Sequence, residues 1–258
     1  MNDFNYTDIQ KIKDLPHNII PLLPWGSIEP HGEHLPYTTD TILAEAVANG
    51  VVMMTPKKGI RKYVVLPSVS LGSQNLSQIN NYPLCIHYNA ETQKAVLDDI
   101  VMSLKRQGIR KLFIINGHNG NTLKGIVRDL LIKHNESCYE KPKFQIFLCN
   151  YLEVVEKCRK RLESLGVPYY DLDEHAAFTE TSLMLYTHPE LVKLENIANE
   201  EKTGKPRSGL WWTPTDFMER SVNSRIGTVG MASADSGEKI FQLVIDELAS
   251  EIKEIVKK

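Results

Sequence analysis

The sequence predicts an α/β protein, a three-layer α/β/α sandwich with a mostly parallel central sheet. From residue 18 onward, short runs of β-branched residues alternate with longer stretches of helical periodicity. This alternation is typical of parallel strands connected by helices that pack on both faces of a sheet. With 258 residues, of which 42% are hydrophobic, the chain can bury a sizeable core. Its length alone allows one large domain or two small ones.

Four short apolar runs predict the strands of this sheet. Each has the length and the β-branched or aromatic composition that strands favour. The runs lie at residues 18–23, 63–66, 112–115 and 144–148.

The longer segments between and after these runs predict helices. Asn89 can cap a helix that ends at Gly108, a residue suited to the position after a helix. Ser236 is expected to cap a closing amphipathic helix, in which apolar residues recur at helical spacing as far as Ile255. The other predicted helices lie at 39–54, at 122–134, at 152–165 and in a segment that ends near Thr187.

Three connecting segments are long enough to carry function. Residues 25–38 join the first strand to the first helix, and the segment 67–88 is rich in Ser, Asn and Gln. A loop longer than about 12–15 residues inside a compact domain is usually functional. Residues 203–230 hold Trp211 and Trp212 among prolines and glycines, and we interpret them as a lid or as an arm that reaches a neighbouring subunit.

Composition and charge exclude several classes of partner. The net charge of −2 and the pI near 6.5 provide no basic field, so nucleic acid is not an expected partner. The longest apolar runs are far shorter than the ~18 residues that cross a bilayer, and the first residues lack the features of a secretory signal. We expect no membrane association and a cytoplasmic location. The four cysteines lack CxxC spacing, which favours reduced core residues over a disulfide framework.

The first concentration of chemistry follows the first predicted strand. Glu29, His31, Glu33 and His34 lie close together, and Asp40 comes eleven residues after Glu29. Such side chains are ligands for Zn²⁺, Mn²⁺ and Fe²⁺, and ligand sites gather at strand ends in α/β sheets. The two oxygens of Asp40 could bridge two metals. The alternative is an ordinary polar loop with Asp40 as a helix cap, which would be favoured for Asp40 alone; the density of the whole cluster favours a metal site.

The second concentration follows the third predicted strand. His118 lies between Gly117 and Gly120, which permit tight turns, and Asn116 or Asn121 could orient its imidazole through hydrogen bonds. A glycine-rich turn between a strand and a helix can instead cradle phosphate. Because neither GxGxxG nor GxxxxGK[ST] is present, phosphate binding is the weaker interpretation.

The third concentration lies within residues 171–182. If a helix began at Asp173, His175 and Glu180 would lie about 140° apart and could not share one site. They can converge if His175 precedes the helix. The alternative is an acidic helix N-terminus in which Asp173 and Glu174 complement the helix dipole, and this segment taken alone favours that interpretation.

In their order along the chain, these three segments resemble the creatininase (creatinine amidohydrolase) family. Each motif alone would be weak, whereas their joint occurrence is highly specific. The resemblance covers about residues 19–182, with a weaker echo at 227–239. The matching motifs are Glu29-x-His31-Gly32-x-His34 with Asp40, Asn116-Gly117-His118-x-x-Asn121, and Glu174-His175 with Glu180-Thr181-Ser182.

The resemblance implies a fold and an activity. The fold is one α/β/α sandwich domain, here residues 1–258, that forms homo-oligomers, often hexamers, and holds two divalent metals at the carboxyl edge of its sheet. The activity is the hydrolysis of C–N bonds, other than peptide bonds, in a small amide such as creatinine or a formylamino compound. In this reaction, a water activated by the metals attacks the carbonyl carbon.

The resemblance also implies a role for each matched residue. The expected ligands of the Zn, Mn or Fe ions are Glu29, His31, Asp40 and His118, with Asp40 as the bridge. His175 is expected to donate a proton to the departing nitrogen, and Glu174 beside it is a second candidate catalytic residue.

The sequence departs from creatininase proper at two positions. Gly120 stands where creatininase has a glutamate that completes one metal site, and we expect Glu180 to replace that ligand. Asp171 stands where creatininase has a tryptophan that helps to enclose the flat substrate ring, which weakens the case for creatinine itself as the substrate. Both departures support an alternative class, a catalytically silent metal-containing binding or sensing protein on the same fold. A nucleotide-binding module that uses the turn at 117–120 ranks last.

Overall fold

The central sheet has four parallel strands in the order β2-β1-β3-β4. The structure, a computed structural model, describes residues 16–55, 62–135, 142–197 and 216–257. The strands are β1 (Ile19–Trp25), β2 (Lys62–Val65), β3 (Lys111–Asn116) and β4 (Gln145–Asn150). All four lie where the apolar runs predict them, to within two residues at each end. Two short strands, β5 (Asp173–His175) and β6 (Ile226–Gly227), form a separate antiparallel pair.

Helices connect and cover the strands. Within the described residues they are α1 (Thr39–Met53), α2 (Leu76–Asn81), α3 (Ala90–Arg106), α4 (Leu123–Asn135), α5 (Tyr151–Lys157), α6 (Arg159–Ser164), α7 (Phe178–Thr187), α8 (Asp216–Arg220) and α9 (Ala234–Lys257). In the part of the chain that the structure describes, no helix combines the length and the apolar character that a membrane span needs.

Alternating side chains of each central strand point into two separate hydrophobic cores. Leu22 and Ile115 belong to one core, which α1, α7 and α9 cover, whereas Leu23 and Ile114 belong to the other, which α3 and α4 cover. This division follows from the period of two along a strand, which sends successive side chains to opposite faces. The predicted three-layer sandwich with a mostly parallel sheet is therefore confirmed.

The strand order creates a crevice at the carboxyl edge of the sheet. The chain leaves β1 into α1 on one face of the sheet, and it leaves the neighbouring strand β3 into α4 on the other face. Where the connections after two adjacent parallel strands diverge in this way, ligands bind outside the carboxyl ends of those strands. Residues 26–38 and 117–122 form the two sides of this crevice.

One predicted helix and one predicted loop differ from the structure. The helix predicted over 152–165 is interrupted at Cys158, whose backbone (φ −94°, ψ 8°) separates α5 from α6. The apolar spacing continues across the break, because Val155 and Leu162 are both buried in the same core, so periodicity could not reveal it. The segment 67–88, expected to be a loop, contains the short helix α2.

Two predicted helix caps are also corrected. Helix α9 begins two residues before Ser236, and the Ser236 amide donates to the hydroxyl of Ser233, which is the actual cap. Asn89 does occupy the N-cap position of α3, but its side chain makes no capping hydrogen bond and instead accepts one from His87 Nε2 at 3.1 Å.

Some predictions fall on residues that the structure does not describe. Cys85, Cys149 and Cys158 are free thiols, while Cys138 lies outside the described residues. In the segment 203–230, interpreted as a lid or arm, residues 203–215 with Trp211 and Trp212 also lie outside them.

Candidate metal centre

Three groups of buried or partly buried side chains converge in the crevice, and each could hold a metal ion. Within each group the potential ligand atoms lie within 4.8 Å of one another. The groups are Glu29–Asp40–His118, His31–Asp40–Glu180 and Glu29–His31–His175. The structure thus brings together all five residues predicted as ligands and the predicted acid/base residue, and Asp40 belongs to the first two groups.

The first group joins the ends of β1 and β3. His118 Nδ1 lies 2.8 Å from Glu29 Oε1 and 3.2 Å from Asp40 Oδ2. The other ring nitrogen, Nε2, lies 2.8 Å from the backbone oxygen of Ser73. Because a carbonyl oxygen can only accept, Nε2 carries the hydrogen and Nδ1 faces the carboxylates. A Cβ at Gly120 would lie only 2.5 Å from His118 Nε2, so the ring in this position requires a glycine there.

The second group places Glu180, from the first turn of α7, beside His31 and Asp40. His31 Nε2 lies 3.0 Å from Asp40 Oδ1, and His31 Nδ1 donates to the backbone oxygen of Glu29 at 3.1 Å. Glu180 Oε2 accepts a hydrogen bond of 2.6 Å from the Ala176 amide. Glu180 is therefore the third carboxylate of the centre, after Glu29 and Asp40, although residue 120 is glycine.

Asp40 is a buried residue of the candidate centre and not a helix cap. It lies inside the first turn of α1, after the N-cap residue Thr38, and only 1% of it is exposed. Its carboxylate accepts a hydrogen bond of 2.5 Å from Ser27 Oγ and contacts both His31 and His118. The alternative that the sequence favoured for Asp40 alone is thus wrong.

The buried charges of the centre shift one another's pKa values. Burial disfavours the charged form of His31, but the carboxylates of Asp40, Glu180 and Glu29 outweigh it and raise the pKa of His31 to about 10. In the same way Glu29 and Asp40 outweigh burial and hold the pKa of His118 well above its usual value. Burial alone would raise the pKa of Asp40, yet the two imidazoles hold it well below its usual range.

His175 converges with Glu180 because it precedes the helix, as the spacing required. It ends β5, and α7 begins three residues later. His175 Nε2 donates to the backbone oxygen of Pro30 at 2.9 Å, and Nδ1 lies 3.9 Å from Glu29 Oε1. The ring lies beside His31, with centroids 4.4 Å apart. The second ring nitrogen, Nδ1, thus faces the centre.

Glu174 lies outside the three groups. Its carboxylate is 39% exposed and pairs with Arg220 through two hydrogen bonds of 2.6 and 3.0 Å. It still forms part of the wall of the cavity above the centre. The structure therefore places this predicted catalytic residue at the rim, and its catalytic role stays a prediction.

Two adjoining cavities open above the centre. The smaller one, of about 170 Å³, is lined by Glu29, Asp40, His118 and their neighbours. The larger one, of about 380 Å³, includes Asp171 in its wall. Both share the wall residues Asn119, Leu152, Glu174, His175 and Glu180, so a substrate on the centre has room to extend into the larger cavity. The turn at 117–120 faces carboxylates here, which repel phosphate and weaken the nucleotide-binding alternative.

Several residues that support the centre were not predicted individually. Gln78 Nε2 donates to Glu29 Oε2 at 2.8 Å, and Ser73 accepts from His118. Both belong to the polar segment 67–88, whose length indicated function but not which residues carry it. The expectation that Asn116 or Asn121 orients the imidazole is wrong in detail, because neither side chain bonds to the ring. Asn116 bonds to the His118 backbone, whereas Asn121 donates to the Asn116 side chain and accepts from the Ser73 amide.

The donor set fits a divalent ion such as Zn²⁺, Mn²⁺ or Fe²⁺. It combines imidazole nitrogens with carboxylate oxygens, the ligands that these ions share in proteins. His31 and His118 each donate the N–H on the far side of the ring to a backbone carbonyl, which is how metal-binding histidines are usually oriented. Fold and side chains together define an α/β protein with a candidate divalent-metal centre at the carboxyl edge of its sheet.

Comparison with known proteins identifies the family. The creatininase family model, described as creatinine amidohydrolase, matches residues 2–252. The chain therefore belongs to the creatininase family.

Individual relatives match over nearly the whole chain. The creatinine amidohydrolase of Pseudomonas putida is 26% identical over 239 residues, which cover 90% of this chain and 88% of that protein. The mycofactocin precursor peptide peptidase of Mycolicibacterium smegmatis (strain ATCC 700084 / mc(2)155) is 29% identical over 248 residues, which cover 92% and 86% of the two proteins.

Solved structures share the fold. A creatinine amidohydrolase-like protein from Bacteroides fragilis NCTC 9343 is 35% identical, with a TM-score of 0.81 over 97% of this chain and 94% of that one. A structure of creatininase with manganese is 23% identical, with a TM-score of 0.80 over 100% and 98% of the two chains.

Proposed function

We propose that this protein is a divalent-metal-dependent amidohydrolase that cleaves a C–N bond of a small amide. The observation that carries the proposal is the position of Asp40, whose two oxygens each contact a different imidazole and which belongs to two ligand groups at once. A carboxylate in this position can bridge two ions. Membership of the creatininase family supports the same conclusion.

In this proposal the two ligand groups that share Asp40 hold two ions of Zn, Mn or Fe. Glu29 and His118 complete one position, while His31 and Glu180 complete the other. When bound, such ions lower the pKa of a water and polarise a carbonyl oxygen. The surrounding residues hold the ligands: Ser27 and Gln78 donate to the carboxylates, and backbone carbonyls fix the tautomers of the imidazoles.

His175 is the proposed acid/base residue. Since Nε2–H is engaged with the Pro30 carbonyl, Nδ1 is the atom free to take a proton from the attacking water and to return it to the departing nitrogen. The side chain is 12% exposed and lines both cavities, so a substrate can reach it. His175 could also act as a ligand, because it forms the third group with Glu29 and His31.

The proposed substrate is a small amide that fits above the centre and extends toward Asp171. Asp171 is exposed and lines the larger cavity, where a tryptophan would be needed to enclose a flat ring as in creatininase proper. A formylamino compound, whose reacting amide is not part of a ring, therefore suits the site better than creatinine. The relative named as a peptide peptidase adds short peptides to the substrates that should be tested.

A substrate screen combined with one variant tests this proposal. Metal-depleted protein is reloaded with Zn²⁺, Mn²⁺ or Fe²⁺ and assayed with lactams, creatinine, formamides, formylamino-pyrimidines and short peptides. His175→Ala should abolish turnover while retaining the bound metal, because the residue acts on protons. A variant that loses metal in parallel with activity would show His175 to be a ligand, and full activity in the variant would refute its catalytic role.

The alternative is a metal-containing binding or sensing protein without turnover. The exposed carboxylate of Asp171 in place of an aromatic side chain favours it. Such a protein should hold its ions and bind small amides without hydrolysing them, which equilibrium dialysis combined with product analysis would reveal. The single domain over residues 1–258, the homo-oligomeric or hexameric assembly and the cytoplasmic location stay predictions of the sequence.

A further inference from the structure

A hydrogen bond between buried side chains joins the two segments that carry the ligands of the second group. His34 Nε2 lies 2.8 Å from Thr181 Oγ1, although the two residues are 147 positions apart in sequence. His34 is 2% exposed and Thr181 is 0% exposed. His34 belongs to the loop between β1 and α1, and Thr181 belongs to the first turns of α7.

Each partner of this bond lies beside a candidate ligand. Thr181 directly follows Glu180, and His34 comes three residues after His31. Successive side chains of a helix point about 100° apart, so Glu180 can face His31 while Thr181 faces His34. The same loop and the same helix therefore meet twice, once through candidate ligands and once through a contact that requires no metal.

The ring of His34 is held in one place. Gly32 adopts a φ of +62°, and a Cβ on it would lie 2.9 Å from His34 Nδ1, so the glycine both makes the turn and leaves room for the ring. The backbone oxygen of His34 accepts a hydrogen bond of 2.9 Å from the Lys193 amide. Among the described residues, Nδ1 has no hydrogen-bond partner, which leaves Thr181 as the contact that anchors the ring.

Glu180 itself has little else to fix it. Among the described residues, its carboxylate receives one hydrogen bond, from the Ala176 amide just before α7. The location of this carboxylate relative to His31 therefore depends on where α7 sits against the loop. Ligands must be held within about 0.5 Å of their productive positions for tight binding.

We propose that His34 and Thr181 are positioning residues that set the location of Glu180 relative to His31 and Asp40 before a metal binds. The inference rests on the proposed function, because it concerns how the second ion position is assembled. Residues that orient metal ligands from outside typically change metal affinity by about 10–100-fold when they are mutated. The first ion position, formed by residues that follow β1 and β3, does not involve this contact.

The test is a zinc titration of metal-depleted Thr181→Val, which replaces the hydroxyl with a methyl group of similar size. Calorimetry with a competing chelator should show that one of two binding steps weakens by about 10–100-fold, and this step should be the one that Glu180→Gln abolishes. Thr181→Ser should restore wild-type affinity because it keeps the hydroxyl. Thr187→Val is a matched control, since it removes a hydroxyl hydrogen bond at the other end of the same helix.

The two steps also separate the possible failures. Unchanged zinc affinities in Thr181→Val, or an equal weakening of both steps together with a lower Tm, would overturn the inference and leave the proposed function intact. If the wild-type protein binds none of Zn²⁺, Mn²⁺ and Fe²⁺, both proposals fail. Should Thr181→Val not fold, His34→Leu removes the other partner and must show the same selective loss. Where Thr181→Val folds, the double variant should weaken the second ion no further than either single variant.

Discussion

The two halves of the candidate metal centre are built in different ways. Glu29 and His118 follow the neighbouring parallel strands β1 and β3, so the sheet itself brings them together. Glu180 comes from α7, outside the central sheet, and reaches His31 only through the packing of that helix. One half of the centre is thus fixed by sheet topology and the other by helix docking.

The candidate ligands of the first half are also held by more hydrogen bonds than Glu180 in the second half. In the first half, Gln78 holds Glu29 and the Ser73 carbonyl holds His118. In the second half, the carboxylate of Glu180 depends on the Ala176 amide. We therefore expect the first ion position to keep its metal affinity in variants in which the second position is disturbed, and mutations can test this.

The largest effect is expected from Asp40→Ala, because both halves share this residue. The variant should lose both ions, and its kcat/KM should fall by about 10³-fold or more, since the bound ions contribute several kcal/mol to catalysis. Metal analysis and kinetics on the same preparation measure both quantities. Ser27→Ala serves as a control that removes only one hydrogen bond to Asp40. Retention of two ions by Asp40→Ala would show that Asp40 is not the shared ligand.

Removing a ligand that belongs to only one half should remove only one ion. His118→Ala should lose the first ion and Glu180→Gln the second, each with an affinity loss of at least about 100-fold, which exceeds the usual effect of an outer residue. Electron paramagnetic resonance of the manganese-loaded protein distinguishes a coupled pair from a single ion. If both variants keep a coupled pair, these residues are not ligands of the two positions.

A methyl group at Gly120 should disturb the first half selectively. The added Cβ would lie 2.5 Å from His118 Nε2 and 2.9 Å from the Ser73 oxygen that this nitrogen contacts, so the ring must move. We expect a roughly 10-fold weaker first ion in Gly120→Ala. Gly125→Ala is the matched control: it has open space around it and lies within α4, where alanine stabilises a helix by about 0.5–1 kcal/mol. Identical zinc affinity in Gly120→Ala would contradict the predicted clash.

The smallest expected effect is the release of protons when the metal ions bind. Because the carboxylates raise the pKa of His31 to about 10 and hold that of His118 well above its usual value, both rings are protonated at neutral pH without metal. Ions must displace these protons, so affinity should rise with pH, with release of about two protons per chain at pH 7. Calorimetry in buffers of different ionisation enthalpy measures this release, and binding without it would refute the assignment.

The same shift predicts the sign of a stability change in the metal-free protein. The folded-state pKa of His31 lies above its ordinary value of 6.5. Its contribution to the free energy of unfolding is therefore fully present below pH 6.5 and is lost as the pH rises through about 10. Thermal unfolding of the metal-free protein between pH 6.5 and about 10 measures this loss of stability. In His31→Gln, stability should depend less on pH over the same range.

Sequence patterns predicted most of the fold because they report which side chains face a core. The four strands and the long helices follow directly from apolar spacing. The interruption at Cys158 could not be predicted, because the apolar spacing continues through a short break. The cap at Ser233 could not be predicted either, because Ser233 and Ser236 can each cap a helix. Only the path of the backbone shows where a helix is interrupted and which serine caps it.

The candidate ligands could be named from the sequence, whereas the residues that hold them in place could not. Glu29, His31, Asp40 and His118 occur in dense motifs at strand ends, and the glycine at position 120 pointed to a substitute carboxylate, which led to Glu180. Ser27, Ser73 and Gln78 are ordinary polar residues whose partners lie 13, 45 and 49 positions away. Only the folded structure reveals such contacts.

The metal content of the purified protein tests the central claim most directly. After growth with Zn, Mn and Fe supplements, we predict two ions per chain. Removal by a chelator should abolish hydrolysis of the amide identified in the screen, and readdition of metal should restore it. A protein that contains less than one ion per chain and keeps its full activity in the chelator would contradict the account.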